Sequence, residues 1–285
     1  MTGRIGVIPA AGKGSRLAPY PGPKELFPIG WQPYAVDGEV HRRPKVVSQY
    51  VVEAMARAGA AAIYMVVGDR KFDIVRYYGA GTRFGTRIAY LFQEEPEGMV
   101  HAIDLAYPWM GQATVLFGMP DTVFHPPDAL KTLAEVHASR RADLTLGLFT
   151  TTRPWKFGMV DVDRTGRVRA HVDKPAHTLL RLMWGLAVWG PAFTDLLHST
   201  REGWTPSDEK RELVFGDVID ASLARGLRVV GHHFRHGWYI DVGTYDEIAE
   251  AQRIMAAALA ASPSASSAWM NPRACSSLSP YSDIK

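Results

Sequence analysis

The chain has 285 residues, 47% of them hydrophobic and 21% charged, a composition that supports a sizeable folded core in one large α/β domain. Its net charge of +3, with no block of five like charges, argues against a nucleic-acid-binding arm. Cys275 is the single cysteine, which excludes an internal disulfide and a cysteine-based zinc cluster, and no apolar run approaches the roughly 18 residues of a membrane span, nor does residue 1 begin a signal peptide. These features lead us to expect a cytoplasmic protein with neither membrane nor nucleic-acid partners, its self-association left open.

In chain order, residues 4–9 form an apolar run that ends in a Gly-rich turn, as a buried strand feeding a loop does. Helical spacing over 46–58 stops before Gly59, and a second buried strand follows at 63–67. The alternation continues with a helix at 69–78, a strand at 87–92, a helix at 99–107, a strand at 113–117, a helix at 130–138 and a strand at 143–149. Strands separated by single helices predict right-handed crossovers and a mostly parallel sheet. The pattern then changes: extended runs at 157–161 and 167–173 are joined by Asp163-Arg164-Thr165-Gly166, which predicts an antiparallel hairpin. A strand at 182–188, a helix at 214–224, strands at 228–233 and 238–240 and a helix at 245–261 complete the domain, leaving 262–285 as a Ser/Ala/Pro-rich tail.

The chemistry concentrates first in Ala10-Ala11-Gly12-Lys13-Gly14-Ser15-Arg16-Leu17, directly after the first strand, with Pro23-Lys24-Glu25-Leu26 close behind. Glycines here let backbone N–H groups approach phosphate oxygens, and Arg16 and Lys24 supply countercharge. The loop is neither a Walker A motif, since Gly6 to Gly12 is a residue too long and Gly14 follows Lys13, nor a dinucleotide fingerprint, since Leu17 stands where a glycine is required. His232, His233 and His236 do not read as a zinc site, because strand alternation sends the adjacent pair to opposite faces. Trp184, Trp189 and Trp238 read as packing residues.

The loop resembles the signature of the sugar-1-phosphate nucleotidylyltransferases, G-x-G-[ST]-R-[LF] followed by P-K-E and an apolar L-[FL]-P. The resemblance runs on through Ser48-Gln49-Tyr50, Gln93-Glu94-Glu95-Pro96-Glu97-Gly98, Gly118-Met119-Pro120-Asp121, Lys156-Phe157-Gly158, Asp173-Lys174-Pro175, Trp184-Gly185 and Asp241-Val242-Gly243-Thr244, in the family's order over residues 4–252. It implies a Rossmann-like three-layer α/β/α fold of the nucleotide-diphospho-sugar transferase type, with a small antiparallel excursion. A single domain at 1–261 would have a nucleotide-binding half to about residue 125 and an acceptor-binding half from about 126.

The implied activity is transfer of a nucleoside monophosphate from an NTP to a sugar 1-phosphate or sugar-like phosphate, with Mg²⁺ held by Asp121 and Asp241. The resemblance gives Arg16 the leaving β and γ phosphates, Lys24 the α-phosphate and Lys174 the acceptor phosphate. It places Ala10, Ala11, Gly12, Gly14, Ser15, Gln93 and Gly98 around the nucleotide, and Gly158, Asp173 and Trp184 beside the acceptor ring. Alternatives are a cytidylyltransferase acting on a non-sugar phosphate or phosphonate, and a non-catalytic regulatory subunit of the same fold. Two departures from the family pattern stand out. Asp173 replaces the usual glutamate and, with Leu179, Leu180, Leu182, Met183 and Trp184, suggests an acceptor less polar than glucose, while residues 31–43 form a longer link than usual, read as a lid or an oligomer contact.

Overall fold

A computed structural model describes residues 3–207 and 212–260, so the expected tail at 262–285 lies outside the described residues. In chain order, β1 (Arg4–Ala10), β2 (Pro28–Val36) and β3 (Glu39–Val46) lead into α1 (Val47–Arg57), β4 (Ala60–Gly68), α2 (Phe72–Tyr78) and β5 (Ile88–Gln93). Then come α3 (Met99–Asp104), α4 (Tyr107–Met110), β6 (Thr114–Gly118), β7 (Thr122–His125), α5 (Ala129–Arg140) and β8 (Leu144–Thr150). The second half comprises β9 (Gly158–Val162), β10 (Val168–Asp173), β11 (Leu182–Trp189), α6 (Pro191–Glu202), α7 (Phe215–Ala224), β12 (Val229–His233), β13 (Trp238–Asp241) and α8 (Tyr245–Ala260).

The central sheet runs β10-β9-β11-β6-β1-β4-β5, with β8 on β11 and β12 on β8. Pairing is parallel between β1 and β4, β1 and β6, β4 and β5, and β8 and β12, whereas β11 runs antiparallel to β6, β8 and β9. Alternation along β1 divides the core between two faces. Ile8 and Ala10 pack with Val51, Met55, Ile74 and Leu130 from α1, α2 and α5, while Ile5 and Val7 pack with Val100, Phe193, Phe215 and Val218 from α3, α6 and α7. Helices thus cover both faces, giving the expected three layers. Gly6 is required on the first face, where a Cβ would lie 2.5 Å from Met55 Sδ.

The expected hairpin forms from β9 and β10. Asp163 Oδ1 accepts hydrogen bonds from the backbone N–H groups of Thr165 and Arg167, and Gly166 takes φ +83° to close the turn. The longer link at 31–43 is a second hairpin, β2–β3, turned by Asp37 at φ +51° and Gly38 at φ +84°, the left-handed pair that a two-residue loop uses. It is tied to α1 by the Tyr50 hydroxyl, which donates to the Ile29 carbonyl at 2.8 Å, and Met255 of α8 lies against Gly30. The helix expected at 99–107 is interrupted: α3 ends at Asp104 and α4 begins at Tyr107, with Pro108 fitting its first turn.

Candidate active site

The chain leaves β1, forms β4 on one side of it and later β6 on the other, so a crevice opens at the carboxyl end of β1, where α/β folds bind ligands. Most of the predicted residues converge there. After Ala10 the backbone turns through Gly14, at φ +65°, into a short 3-10 turn at Ser15–Leu17; buried Leu17 anchors it and Arg16 is left exposed. Gly12 and Ser15 are also exposed on this loop. A second 3-10 turn, Lys24–Leu26, carries Lys24.

Lys24 Nζ lies 2.5 Å from Asp121 Oδ2, and both side chains are largely buried. Burial alone would push the Lys24 ammonium down; the charge and hydrogen bond of Asp121, with Glu25 and Asp241, outweigh it and hold the group above the ordinary lysine value. Asp121 follows β6, and Asp241 closes β13, which pairs with β7 so that Asp241 stands opposite Thr122. The Val242 N–H donates to the Asp121 carbonyl at 2.8 Å, locking the two segments together. Burial, then the negative charges of Asp121 and Glu247, push Asp241 up to about 7, against the pull of Lys24 and Arg16. Two carboxylates therefore border one space whose negative charge Lys24 and Arg16 only partly offset. Such a space suits a hard cation with oxygen ligands.

Arg16 reaches the same place: a Cβ on Gly243 would lie 2.8 Å from Arg16 Nη2. Gly243 is itself fixed by Glu247, whose Oε2 accepts the Gly243 N–H at 3.1 Å and the Thr244 hydroxyl at 3.0 Å, capping α8. Burial would push Glu247 up, but hydrogen bonds from Lys156, Thr244 and Gly243 hold its carboxyl below the ordinary range. Lys156, in the loop before β9, and Glu247 form a short ion pair, and Arg153 Nη2 meets Glu250 Oε2 at 3.1 Å.

The nucleobase candidates stand side by side at the ends of β1, β4 and β5. Ala10 pairs with Val67, and Gly68 with Gln93. The backbone of Ala11 passes close over Gly68, where a Cβ would lie 3.0 Å from the Ala11 carbonyl oxygen. Gln93 is buried and its Nε2 donates to the Gly98 carbonyl at 3.4 Å. Gly98 adopts φ +104° and is overlain by Glu212, whose Oε1 accepts the Met99 N–H at the start of α3.

On the acceptor side, Asp173 pairs with Gly158 across the β9–β10 hairpin, and the Lys174 N–H donates to the Phe157 carbonyl at 3.1 Å. Lys174 takes φ +41°, and its exposed ammonium is 3.6 Å from the Asp173 carboxylate. This lysine is not drawn into the Lys24–Asp121 pair. Trp184 packs on Phe215 with ring centroids 5.0 Å apart. Its Nε1 and the Nε2 of His171 are both buried without a partner among the described residues, and both press on Gly158, where a Cβ would overlap them. Met183 is buried, Leu182 and Trp184 pack in the α6–α7 core and Leu180 in the opposite one, so of that apolar run only Leu179 is free of the core. Leu179 and Leu180 also line an open groove beside Thr151 and Trp155.

Sequence reasoning missed Lys71, Glu212 and Glu247 and gave Lys156, quoted only within a motif, no role, because their partners are largely distant in the chain. Only the Thr244-x-x-Glu247 spacing carried a local signal, that of a helix cap. Among the described residues no group of three or more His, Cys, Asp or Glu forms a metal cluster, and no helix is long and apolar enough to cross a membrane.

The sequence pattern of the nucleotidyl transferase family matches residues 5–258. Over 254 residues the chain is 28% identical to the low-salt glycan biosynthesis nucleotidyltransferase Agl11 of Haloferax volcanii, covering 88% of this chain and 65% of that protein. It is 26% identical over 252 residues to a glucose-1-phosphate thymidylyltransferase of Streptomyces griseus, covering 87% of this chain and 65% of that one. The chain therefore spans somewhat less than two thirds of the length of these relatives. Among solved structures, a Bacillus anthracis protein described as a glucose-1-phosphate thymidylyltransferase, in complex with a sucrose, superposes with a TM-score of 0.74 at 21% identity, covering 88% of this chain and 95% of that one. A UDP-glucose pyrophosphorylase complexed with UDP-glucose gives 0.70 at 20% identity, covering 89% and 98%.

Proposed function

The chain belongs to the nucleotidyl transferase family, and we propose that it transfers a nucleoside monophosphate from an NTP to a sugar 1-phosphate or a sugar-like phosphate, releasing pyrophosphate. The observation that carries this reading is the convergence of Arg16, Lys24, Asp121 and Asp241 at the carboxyl end of β1. The relatives named for glucose-1-phosphate thymidylyl transfer support a sugar acceptor over an aminoalcohol phosphate or phosphonate. An intact set of charged groups argues against a non-catalytic subunit. An NTP donor is the support for a cytoplasmic site of action.

In this reading an oxygen of the acceptor phosphate attacks the α-phosphorus, a P–O bond forms, and the bond to the leaving pyrophosphate breaks. Both reactants are anions, so the protein's task is alignment and charge neutralisation. Arg16 holds the β and γ phosphates and Lys24 the α-phosphate, while the backbone of Gly12, Gly14 and Ser15 follows the triphosphate. Asp121 and Asp241 would hold Mg²⁺, which supplies further neutralisation at the phosphates. Ala10, Ala11, Gln93 and Gly98 frame the base. Lys174 meets the acceptor phosphate, and Gly158, Asp173 and Trp184 border its ring.

The test is pyrophosphate release by the purified chain with Mg²⁺, across four ribo-NTPs and dTTP against a panel of sugar 1-phosphates, with Asp121→Asn as control. We expect release that requires both substrates and the metal and is lost in the control. Release by Asp121→Asn at the wild-type rate would remove Asp121 from the reaction, and silence across the panel would overturn the reading.

A further inference from the structure

Beside the acceptor residues lies an open groove of about 590 Å³, lined by Thr151, Thr152 and Trp155 on one wall and His177, Thr178 and Arg181 on the other. Its volume falls within the range of small-molecule sites, about 300–1,000 Å³. Both walls grow out of the acceptor hairpin: Trp155 is three residues before Gly158, and Ala176 follows Lys174 by two. The floor is the end of the β8–β11 pair, where Thr150 faces Leu182 and the Thr151 N–H donates to the Arg181 carbonyl at 3.0 Å.

The groove is held open by contacts outside it. Arg153–Glu250 and Lys156–Glu247 bolt the first wall to α8. Thr151 Oγ1 accepts the Arg153 N–H at 3.0 Å, and Thr178 Oγ1 accepts the Leu180 N–H at 3.1 Å, which fixes both side chains while leaving their hydroxyl protons to donate elsewhere. Trp155 is 54% exposed and makes no ring contact among the described residues, and Leu179 at the rim is 97% exposed. An uncovered indole beside fixed hydroxyls is an amphipathic surface, apolar in the middle and polar at the edges. The lining carries one guanidinium and one imidazole among threonines and apolar side chains, with no carboxylate or lysine, so most of its polar groups are neutral hydroxyls suited to a hydroxylated ligand.

We propose that this groove is a distal acceptor subsite that takes a second, uncharged hydroxylated ring attached to the acceptor, its C–H face on Trp155 and its hydroxyls on Thr151, Thr178 and Arg181. The assignment to the acceptor rests on the nucleotidylyl-transfer reading above. The groove's affinity for a neutral ring does not.

Two measurements on the full chain separate these points. In ligand-observed NMR with neutral maltose and no NTP, the wild type shows saturation transfer, Trp155→Phe retains it, and Trp155→Ala weakens binding about tenfold, the size of one aromatic contact. Binding that is absent, or indifferent to Trp155→Ala, overturns the subsite. In pyrophosphate release, Trp155→Ala raises KM for maltose 1-phosphate about tenfold while KM for glucose 1-phosphate changes less than about twofold, since only the longer acceptor reaches the indole. Equal shifts for both acceptors overturn the acceptor assignment. No NTP-dependent release from the wild type with any acceptor sinks the proposed reaction instead, and the maltose titration still decides the groove.

Discussion

Lys71 Nζ lies 2.6 Å from Glu25 Oε2 with both side chains buried, directly behind Lys24. Burial pushes the Glu25 carboxyl up, against the pull of Lys71, and its Oε1 has no partner among the described residues. Ser48 adds a second fastening, its hydroxyl donating to the Glu25 carbonyl at 2.6 Å. The turn that presents Lys24 is therefore clamped through both the side chain and the backbone of its neighbour. Lys71→Met should cost about 3–5 kcal/mol by stranding a buried carboxylate, and Lys71→Met combined with Glu25→Leu should recover most of that loss. Urea unfolding of the two single variants and the double variant measures it; additive losses would contradict the clamp.

Gly158 has no room for a side chain, because Trp184 and His171 occupy the position of its Cβ. Gly158→Ala should destabilise the fold by about 1–3 kcal/mol through overpacking, and Trp184→Phe in that background should return part of it by removing the crowded indole nitrogen. Thermal unfolding decides between this account and a tolerant hairpin, in which Gly158→Ala would unfold at the wild-type temperature.

Gly243 presents a different case, since the atom its Cβ would meet is the far end of the exposed Arg16 side chain. Gly243→Ala should push the guanidinium aside without loss of fold. If Arg16 holds the leaving phosphates, KM for the NTP rises by about tenfold, a shift of roughly 1.4 kcal/mol, while the unfolding temperature stays put. An unchanged KM would detach Arg16 from the triphosphate.

His137 is buried, its Nδ1 is 3.1 Å from Thr145 Oγ1, and burial pushes its pKa down to about 4. An unfolded histidine titrates near 6.5, so between that pH and about 4 the unfolded chain binds the proton that the folded one refuses. The histidine's contribution is therefore intact above pH 6.5 and lost as pH falls to about 4, to a limit on the order of 3 kcal/mol. His137→Gln should flatten the decline in urea midpoint between pH 7 and 4.5, and an unaltered slope would show that other groups set it.

What was legible in the sequence was local. The Gly12 to Leu17 loop, Lys24 and the apolar runs of the central strands could be read because their chemistry or period lies within a few residues. The β2–β3 hairpin carried its signal in Asp37-Gly38, but Pro33, Pro44 and a largely solvent-facing strand pair obscured the alternation on both sides. Helix α6 was overlooked although Pro191 sits in its first turn and Phe193, Leu196 and Leu197 form its buried face. β7 has four residues, too few to show a period. The support for the site was illegible for another reason: Glu25 and Lys71 are 46 positions apart, Lys156 and Glu247 are 91, and only the folded chain brings such charges together.

The Lys24–Asp121 contact gives the crevice a counterion of its own. In the proposed reaction a cation drawn to Asp121 competes with Lys24 for the carboxylate, and an ammonium released from it is free to meet an anion. Each arrival thus prepares the place of the other, so a metal ion and a triphosphate entering as one neutralised package face a smaller electrostatic barrier than either alone. In that reading free metal or free nucleotide should hold poorly where the complex holds well, a selectivity that originates in a single ion pair.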